Sequence, residues 1–215
     1  MNSQELSAAL RELGLQRGDI VLLHSSFISL GEFEGGPEAV VEAFLHVLGP
    51  KGTLLAPVFG DLGILTSVVR QHPKAVVSTA PVGTLAAIGA KAKEICEDHW
   101  KAETAHGEGT PFLKLADLGG YVCLLGVDQD RNTTLHSAEA LLRLPYLGTA
   151  TSKFTAPNGK RLTKVWKYYP GPHRDFIGLD HYFLESGIMT KQRIGNAEVR
   201  LLKARDMIDL CLEIG

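Results

Sequence analysis

A histidine, two threonines and several acids follow an apolar run near the middle of the chain. The run is YVCLLGV (121–127), and the next segment reads DQDRNTTLHSAE (128–139). Thr133 and His136 are three positions apart, so in the first turn of a helix their side chains share one face. A histidine ordinarily titrates near neutral pH, which suits general-base catalysis. The alternative is a helix capped by Asn132 or Thr133 with one histidine on its shoulder, and residue types alone favour neither interpretation.

Further polar side chains near this segment are candidates for contact with a substrate. Asp128 and Asp130 leave the apolar run directly, at the edge where a parallel sheet binds ligands. His99 and His173 lie in polar stretches that read as accessible loops. We predict that Asp128, Asp130 and His99 contact the substrate.

The segment LLHSSFISLGEFEGGPEAV (22–40) is a second candidate for ligand binding. It runs from a predicted strand into a predicted helix, and it offers the side chains of His24, Ser25 and Ser26. Its glycines allow backbone amides to approach a ligand closely, and a helix start near Pro37 can receive an anion. A turn with serine caps explains the same residues equally well.

The segment TAHGEGTPF (104–112) is a third candidate, with His106 and Glu108 beside glycines. Its structural alternative is a helix start, because Thr110 is a good cap and Pro111 suits the first helical position. Without other information the structural interpretation is the stronger of the two.

Several protein classes are excluded or disfavoured. A net charge of −2 argues against binding to nucleic acid. The widely spaced Cys96, Cys123 and Cys211 form no CxxC pair, so we expect neither a structural metal site nor a disulfide framework. No GxSxG elbow, Walker A sequence or HExxH motif occurs. The N-terminus MNSQELSAALRELG is not a signal peptide, and no apolar run approaches the roughly 20 residues that span a bilayer. We therefore expect a soluble, cytoplasmic protein without a membrane partner.

The elements that must position these residues alternate between helices and strands in the first two thirds of the chain. Apolar periodicity and end signals predict helices over 5–14, 37–49, 63–72, 83–95, 111–118 and 132–144. They predict strands over 19–25, 52–59, 74–78 and 121–127. This rhythm indicates βαβ units and a mostly parallel central sheet covered by helices.

After Pro145 the pattern changes. Asn158-Gly159 between two alternating runs predicts an antiparallel hairpin. A helix near 175–186, a β segment around 191–201 and a final helix over KARDMIDLCLEI (203–214) follow. The prediction is one α/β domain, 1–215, with an antiparallel β-hairpin addition.

Three blocks of the chain together resemble one family, the aminoglycoside 3-N-acetyltransferases. The first block is RGDIVLLHSSFISLGEFEGGPEAVVEAFLHVLGPKGTLLAPVF (17–59). The second, HGEGTPFLKLADLGGYVCLLGVDQDRNTTLHSAE (106–139), has a GEGSP-like turn, an apolar strand and the pattern N-T-[ST]-L-H-x-x-E. The third is GIMTKQRIGNAEVRLLKARDMIDL (187–210). The resemblance implies an α/β/α fold and transfer of an acetyl group from acetyl-CoA to an amine.

The resemblance also implies roles for particular residues. His136 would be the general base that removes a proton from the attacking amine, and Thr133 would hydrogen-bond the reacting groups near the thioester carbonyl. Glu108 and Glu139 match acidic family positions that orient the histidine or the substrate amine. The residues expected to contact coenzyme A lie at or after the end of the first strand, apart from one in the segment 76–89: His24, Ser25, Ser26, Leu30, Gly31 and Thr84. The acceptor would be an aminoglycoside, an amino sugar or a similar small amine, and a homodimer is left open.

The chain departs from the family pattern in two places. Only residues 60–62 join LLAPVF to GILTSVV, where the family has a longer loop. In VVSTAPVGTLAAIG (76–89), Val77, Ala80 and Gly83 replace an arginine and two histidines of the family pattern. These losses motivate an alternative, a catalytically inactive module that binds coenzyme A or another small molecule. A Ser- or Cys-dependent hydrolase is disfavoured, since no nucleophile lies in an elbow motif.

Overall fold

The structure, a computed structural model, describes residues 1–145, 147–168 and 174–214. Its α-helices are α1 (Ser3–Leu13), α2 (Gly36–Leu48), α3 (Ile64–Gln71), α4 (Ala92–Cys96), α5 (Pro111–Asp117), α6 (Leu135–Leu142), α7 (Leu179–Glu185) and α8 (Ala204–Ile214). Its strands are β1 (Ile20–Ser25), β2 (Thr53–Pro57), β3 (Val76–Val77), β4 (Leu85–Gly89), β5 (Tyr121–Leu125), β6 (Gly148–Thr155), β7 (Arg161–Tyr168), β8 (Met189–Ile194) and β9 (Ala197–Lys203). Short 3₁₀ turns lie at Phe27–Leu30, His99–Lys101 and Gln129–Arg131.

The central sheet has seven strands in the order β3-β4-β2-β1-β5-β9-β8. Strand β1 pairs in parallel with both β2 and β5. The outer pairings are antiparallel, so the sheet is mixed and its parallel part is smaller than the sequence predicts. For β8 and β9 the reason is local, because a tight hairpin at Gly195-Asn196 can only connect antiparallel strands.

The predicted helix over 83–95 is wrong. This alanine-rich segment forms β4 and then the short helix α4. Alanine has a high helix propensity, but here tertiary pairing prevails, because Leu55 and Ala87 face each other in adjacent strands. At the end of β4 the backbones nearly touch: a Cβ on Gly89 would lie 2.1 Å from the carbonyl oxygen of Gly52. Only glycine permits that approach.

Helices cover both faces of the sheet, which confirms the predicted α/β/α fold. One core cluster packs α1, α2 and α3 against Val21 and Leu23 of β1. The other packs α4, α5, α6 and α8 against Leu22 of the same strand. Because side chains alternate along a strand, His24 points toward the second layer, the one that contains α6.

The hairpin predicted at Asn158-Gly159 is confirmed, with β6 and β7 in register from Gly148↔Tyr168 to Thr155↔Arg161. It is a separate two-stranded sheet that docks on the segment before α5, where Ala105 N–H donates to the Lys167 carbonyl at 3.0 Å. Trp166 is fully buried against Ala80 and Ala102. Within the described residues, no helix is long and apolar enough to cross a membrane.

Candidate active site

His136 and Glu139 lie in the first turn of α6 and form a close pair. The distance between His136 Nδ1 and Glu139 Oε2 is 2.7 Å. A carboxylate can only accept a hydrogen bond, so the Nδ1–H donates and the lone pair of a neutral His136 is on Nε2. The side chain of His136 is 21% exposed and that of Glu139 7%, so the pair is largely shielded from water without being sealed off.

Arg174 completes this pair from a different part of the chain. Its Nε forms an ion pair with Glu139 Oε1, the oxygen that His136 does not contact. The three side chains therefore form a line, imidazole to carboxylate to guanidinium. The carboxylate is held from both sides, which limits the rotation of the histidine ring.

A second imidazole and one phenylalanine ring contact His136, and another phenylalanine contacts that second imidazole. The ring of His106 lies 5.2 Å from that of His136, and the ring of Phe176 lies 5.4 Å from it. His106 in turn contacts Phe112, with 4.8 Å between ring centroids. Burial, and secondarily His136 and His99, hold the pKa of His106 well below its ordinary value, so His106 is neutral.

Thr133 and His24 meet where the carboxyl ends of β1 and β5 lie side by side. Thr133 Oγ1 is 3.4 Å from His24 Nε2. His24 is 5% exposed, and burial lowers its pKa to about 3, so its ring is neutral at physiological pH. The segments 22–40 and 128–139, which were separate candidate sites in the sequence, therefore contribute to one site.

A buried arginine anchors the loop between β5 and α6. Arg200 of β9 is 4% exposed. Its Nε donates to Asp180 at 2.7 Å, and its terminal nitrogens reach Asp128 at 3.1 Å and the Val127 carbonyl at 3.2 Å. Asp128 also accepts from the Gln129 backbone N–H. Asp128, predicted to contact substrate, is thus engaged in holding its own loop.

From Asp180 the hydrogen bonds continue into the start of α6. Gln129 Nε2 donates to Asp180 at 2.9 Å, and Asn132 Nδ2 donates to Gln129 Oε1 at 2.9 Å. Asn132 Oδ1 then accepts from the Thr134 backbone N–H at 3.2 Å. Asn132 therefore stabilises the turn that carries Thr133, whereas α6 begins at Leu135 with Thr134 as its N-cap, so the prediction that Asn132 or Thr133 caps the helix is wrong.

Two other predicted acids lie apart from His136. Glu108 is exposed and lines an open cleft of about 780 Å³ with Lys101, Arg143 and Lys167. Asp130 is exposed and pairs with its neighbour Arg131 at 3.2 Å. Among the described residues neither acid has a hydrogen bond or ion pair to His136.

The expectation that His99 lies in an accessible polar loop is wrong. His99 is fully buried, and its Nδ1 lies 2.9 Å from Ser78 Oγ. Burial, with Lys114 and Lys164 nearby, lowers its pKa to about 3. The backbone of Asp98 in the left-handed region (φ 62°) begins the 3₁₀ turn that carries His99. His173, the other loop histidine, lies outside the described residues.

The residues predicted to contact coenzyme A differ in how far their side chains are exposed. Ser25, Ser26 and Gly31 are partly exposed at the end of β1. The Leu30 side chain is 2% exposed and belongs to the core, so it is not available for a ligand. Thr84 is partly exposed, and its hydroxyl donates to the Ala80 carbonyl at 2.8 Å. The Val58 N–H donates to the Thr84 carbonyl, which places Thr84 beside the end of β2.

Two residues of the site were missed as partners of His136. The sequence marks His106 only by its position beside a glycine, and it gives no signal for Arg174. No spacing rule connects either to α6, because both come from segments whose position depends on tertiary packing. Among the described residues no group of three or more His, Cys, Asp or Glu side chains is placed to hold a metal ion.

Comparison with known proteins gives a consistent result across most of the chain. A family model described as aminoglycoside 3-N-acetyltransferase matches residues 22–62 and 59–214. The aminoglycoside N(3)-acetyltransferase IV of Salmonella sp is 32% identical over 226 residues, which cover 97% of this chain and 85% of the relative. The aminoglycoside N(3)-acetyltransferase VII of Streptomyces paromomycinus is 28% identical, with 95% and 88% covered.

Solved structures of similar proteins share the fold. AAC-IIIb in a binary complex with CoASH superposes with a TM-score of 0.90 at 27% identity, covering 100% of this chain and 96% of the other. A histidine-to-alanine mutant of the aminoglycoside acetyltransferase AAC(3)-IVa, in complex with apramycin, superposes with a TM-score of 0.88 at 29% identity. That match covers 99% of this chain and 91% of the other.

Proposed function

Because the chain belongs to the aminoglycoside 3-N-acetyltransferase family, we propose that it transfers the acetyl group of acetyl-CoA to the 3-amino group of an aminoglycoside. The observation that carries the proposal is the His136–Glu139 pair, 2.7 Å apart and ion-paired to Arg174, in the first turn of α6. The CoASH bound in AAC-IIIb and the apramycin bound in the AAC(3)-IVa mutant support the choice of donor and acceptor.

His136 is the general base in this proposal. A protonated amine cannot attack a thioester, so the acceptor reacts as the free amine after its ammonium proton has gone to solvent. Nε2 of His136 takes one of the two remaining protons as the nitrogen bonds to the acetyl carbonyl carbon. The carbon–sulfur bond then breaks, and the proton passes from His136 to the departing thiolate of coenzyme A. Glu139 stabilises the imidazolium that exists between these two transfers.

Thr133 stabilises the carbonyl oxygen as negative charge develops on it. Its hydroxyl lies between the end of β1 and the start of α6, 3.4 Å from Nε2 of the neutral His24. For the hydroxyl to donate its single hydrogen to the carbonyl oxygen, His24 must donate from Nε2 to Thr133 Oγ1, and this contact holds Thr133 in one rotamer. A donor fixed before the reaction lowers the barrier more than one that must reorient.

The inactive binding module is the weaker alternative. It rests on the short loop at 60–62 and on the residues that replace basic side chains at 77–83. A module that had lost catalysis would not need a shielded imidazole–carboxylate–guanidinium line, which costs desolvation of charged groups.

The proposal is tested by measuring thiol release from acetyl-CoA with purified protein and a panel of aminoglycosides that includes apramycin and gentamicin. We expect turnover with at least one aminoglycoside and, by NMR of the product, an acetyl group on the 3-amino nitrogen. Binding of acetyl-CoA without turnover of any amine would instead support the binding module.

Replacing His136 tests the proposed general base directly. His136→Ala should lower kcat by about 10²–10⁴-fold, the usual contribution of a general base. His46→Ala, which removes an exposed imidazole from α2, is the matched control and should leave kcat unchanged. If the two variants had the same kcat, His136 would not be the base.

A further inference from the structure

A second imidazole stands beside His136, and the proposed proton transfers do not use it. His106 lies in the turn before α5, and its ring centroid is 5.2 Å from that of His136 with the planes inclined at 46°. Its other neighbour is the ring of Phe112, at 4.8 Å and 50°. The ring of His106 therefore contacts the ring of Phe112, a core residue, and the ring of His136, the proposed base.

The backbone around His106 is tightly fixed. The Thr104 hydroxyl accepts from the Gly107 N–H at 2.6 Å, and the Thr110 hydroxyl donates to the Gly107 carbonyl at 2.6 Å. Gly107 also packs directly on α6, since a Cβ there would lie 3.3 Å from the Ala140 Cβ. The turn is therefore fastened to the same helix that carries His136.

Hydrogen bonding by Nε2 does not explain the presence of His106. Its Nε2 is buried and has no hydrogen-bond partner among the described residues. A buried imidazole usually satisfies its polar atoms, so a residue retained for hydrogen bonding to the protein would show a partner there. What His106 contributes to the described structure is a flat, neutral ring.

We propose that His106 is a positioning residue, whose ring fixes the plane of the His136 imidazole so that Nδ1 stays on Glu139. The inference rests on the proposed function only for its kinetic consequence. A charged ring at this position would repel the imidazolium that forms on His136, and neutral His106 does not. Misplacing a catalytic group by about 1 Å costs on the order of 10²-fold in rate, so ring packing beside the base has a measurable effect.

Two substitutions separate the ring from its nitrogens. His106→Phe keeps an aromatic ring and removes both nitrogens, whereas His106→Leu keeps an apolar side chain and removes the ring. We expect His106→Leu to lower kcat by about 10- to 100-fold, with changes in KM for either substrate below about 3-fold. His106→Phe should restore kcat to within about 3-fold of the unaltered protein. His181→Leu is the control, because His181 is exposed on α7, where its Nε2 lies 3.3 Å from Glu185.

A spectroscopic measurement keeps this test independent of turnover. The Nδ1–H of His136, donated to a carboxylate at 2.7 Å, should give a downfield proton resonance that His136→Ala removes. We expect the resonance to persist in His106→Phe and to broaden or disappear in His106→Leu.

Failures of the two proposals are distinguishable. If the unaltered protein acetylates no amine, the proposed function fails, and the resonance still reports on His106. Unchanged kcat and an unchanged resonance in a folded His106→Leu would overturn the inference. Equal losses in His106→Phe and His106→Leu would also overturn it. If His106→Leu does not fold, His106→Phe decides alone, and loss of its kcat or of its resonance would overturn the inference.

Discussion

The carboxylate of Glu139 is shared between His136 and Arg174, and this arrangement leaves Nε2 as the nitrogen of His136 that can accept a proton. One oxygen fixes Nδ1 of His136, and the other is held by the guanidinium. The pattern H-x-x-E already placed His136 and Glu139 on one face of a helix, so this half of the line was predictable from spacing. Arg174 was not, because it reaches α6 only through the packing of the segment before α7. The same pattern could not decide between Glu139 and Glu108 as the partner of the histidine.

Removing the charge of Glu139 tests which acid matters. In Glu139→Gln the amide can still accept a hydrogen bond, but it cannot stabilise an imidazolium, and the ion pair between Arg174 and residue 139 is lost. We expect kcat to fall by about 10- to 1000-fold. Steady-state thiol release measures the effect.

Glu108→Gln is the matched comparison, since Glu108 is exposed and makes no contact with His136 among the described residues. Its kcat should change by less than about 3-fold. The reverse ranking of the two variants would assign the orienting role to Glu108.

At the scale of elements, the site depends on how a loop and a helix start are fastened to the sheet. The sequence predicted β1, β5 and the helix after β5, because long apolar runs and cap residues are local signals. It did not predict β4, whose alanines are as suitable for a helix. It also did not predict the line from Arg200 through Asp180 and Gln129 to Asn132, since hydrogen bonds between distant segments leave no periodic trace.

Asp180→Ala should disturb the site from outside it. The substitution removes a partner of buried Arg200 and the acceptor of Gln129 Nε2. We expect the free energy of unfolding to fall by about 2 kcal/mol, since buried donors lose their acceptor. We also expect a lower kcat, because Asn132 and Thr133 are less well fixed. Urea denaturation and thiol release measure the two effects.

Glu12→Ala removes an exposed carboxylate from α1 and serves as the control. Its unfolding free energy should change by less than about 0.5 kcal/mol. If Asp180→Ala behaved in the same way, the hydrogen-bonded line would not anchor the loop.

At the scale of the whole molecule, folding shields several imidazoles from water that the unfolded chain exposes. Burial lowers the pKa of His24 and of His99 to about 3, and that of His106 well below its ordinary value of 6.5. The sequence identified all three as polar residues and placed His99 in a loop, since the surroundings of His99 come from distant segments that supply Ser78 and Lys164. The three-layer architecture was predictable, whereas the interior position of these rings was not.

This burial predicts a loss of stability in acid. Below about pH 6.5 the unfolded state binds protons at these histidines, and in the folded state His24 and His99 do not bind protons until about pH 3. The free energy of unfolding should therefore fall as the pH decreases from 6.5 toward 3, by up to about 1.4 kcal/mol per pH unit for each histidine. Urea denaturation at several pH values measures the slope.

His99→Gln can still hydrogen-bond Ser78 but cannot titrate, so it should make this slope shallower. His46→Gln, at an exposed position, should leave the slope as it is. An unchanged slope in His99→Gln would show that His99 does not contribute to acid sensitivity.

The loop after β2 has a consequence for protein engineering. The two stretches matched by the family model overlap at 59–62, in a loop whose residues from Gly60 to Gly63 are mostly exposed. It leaves the sheet beside the end of β1, and a Cβ on Gly63 would lie 4.0 Å from the Ser25 carbonyl oxygen. Lengthening a surface loop costs little, about 0.6 kcal/mol for each doubling of its length. Residues inserted here would therefore form a new wall beside the site while the sheet below remains intact, which makes this loop a grafting point for changing the range of amines that enter.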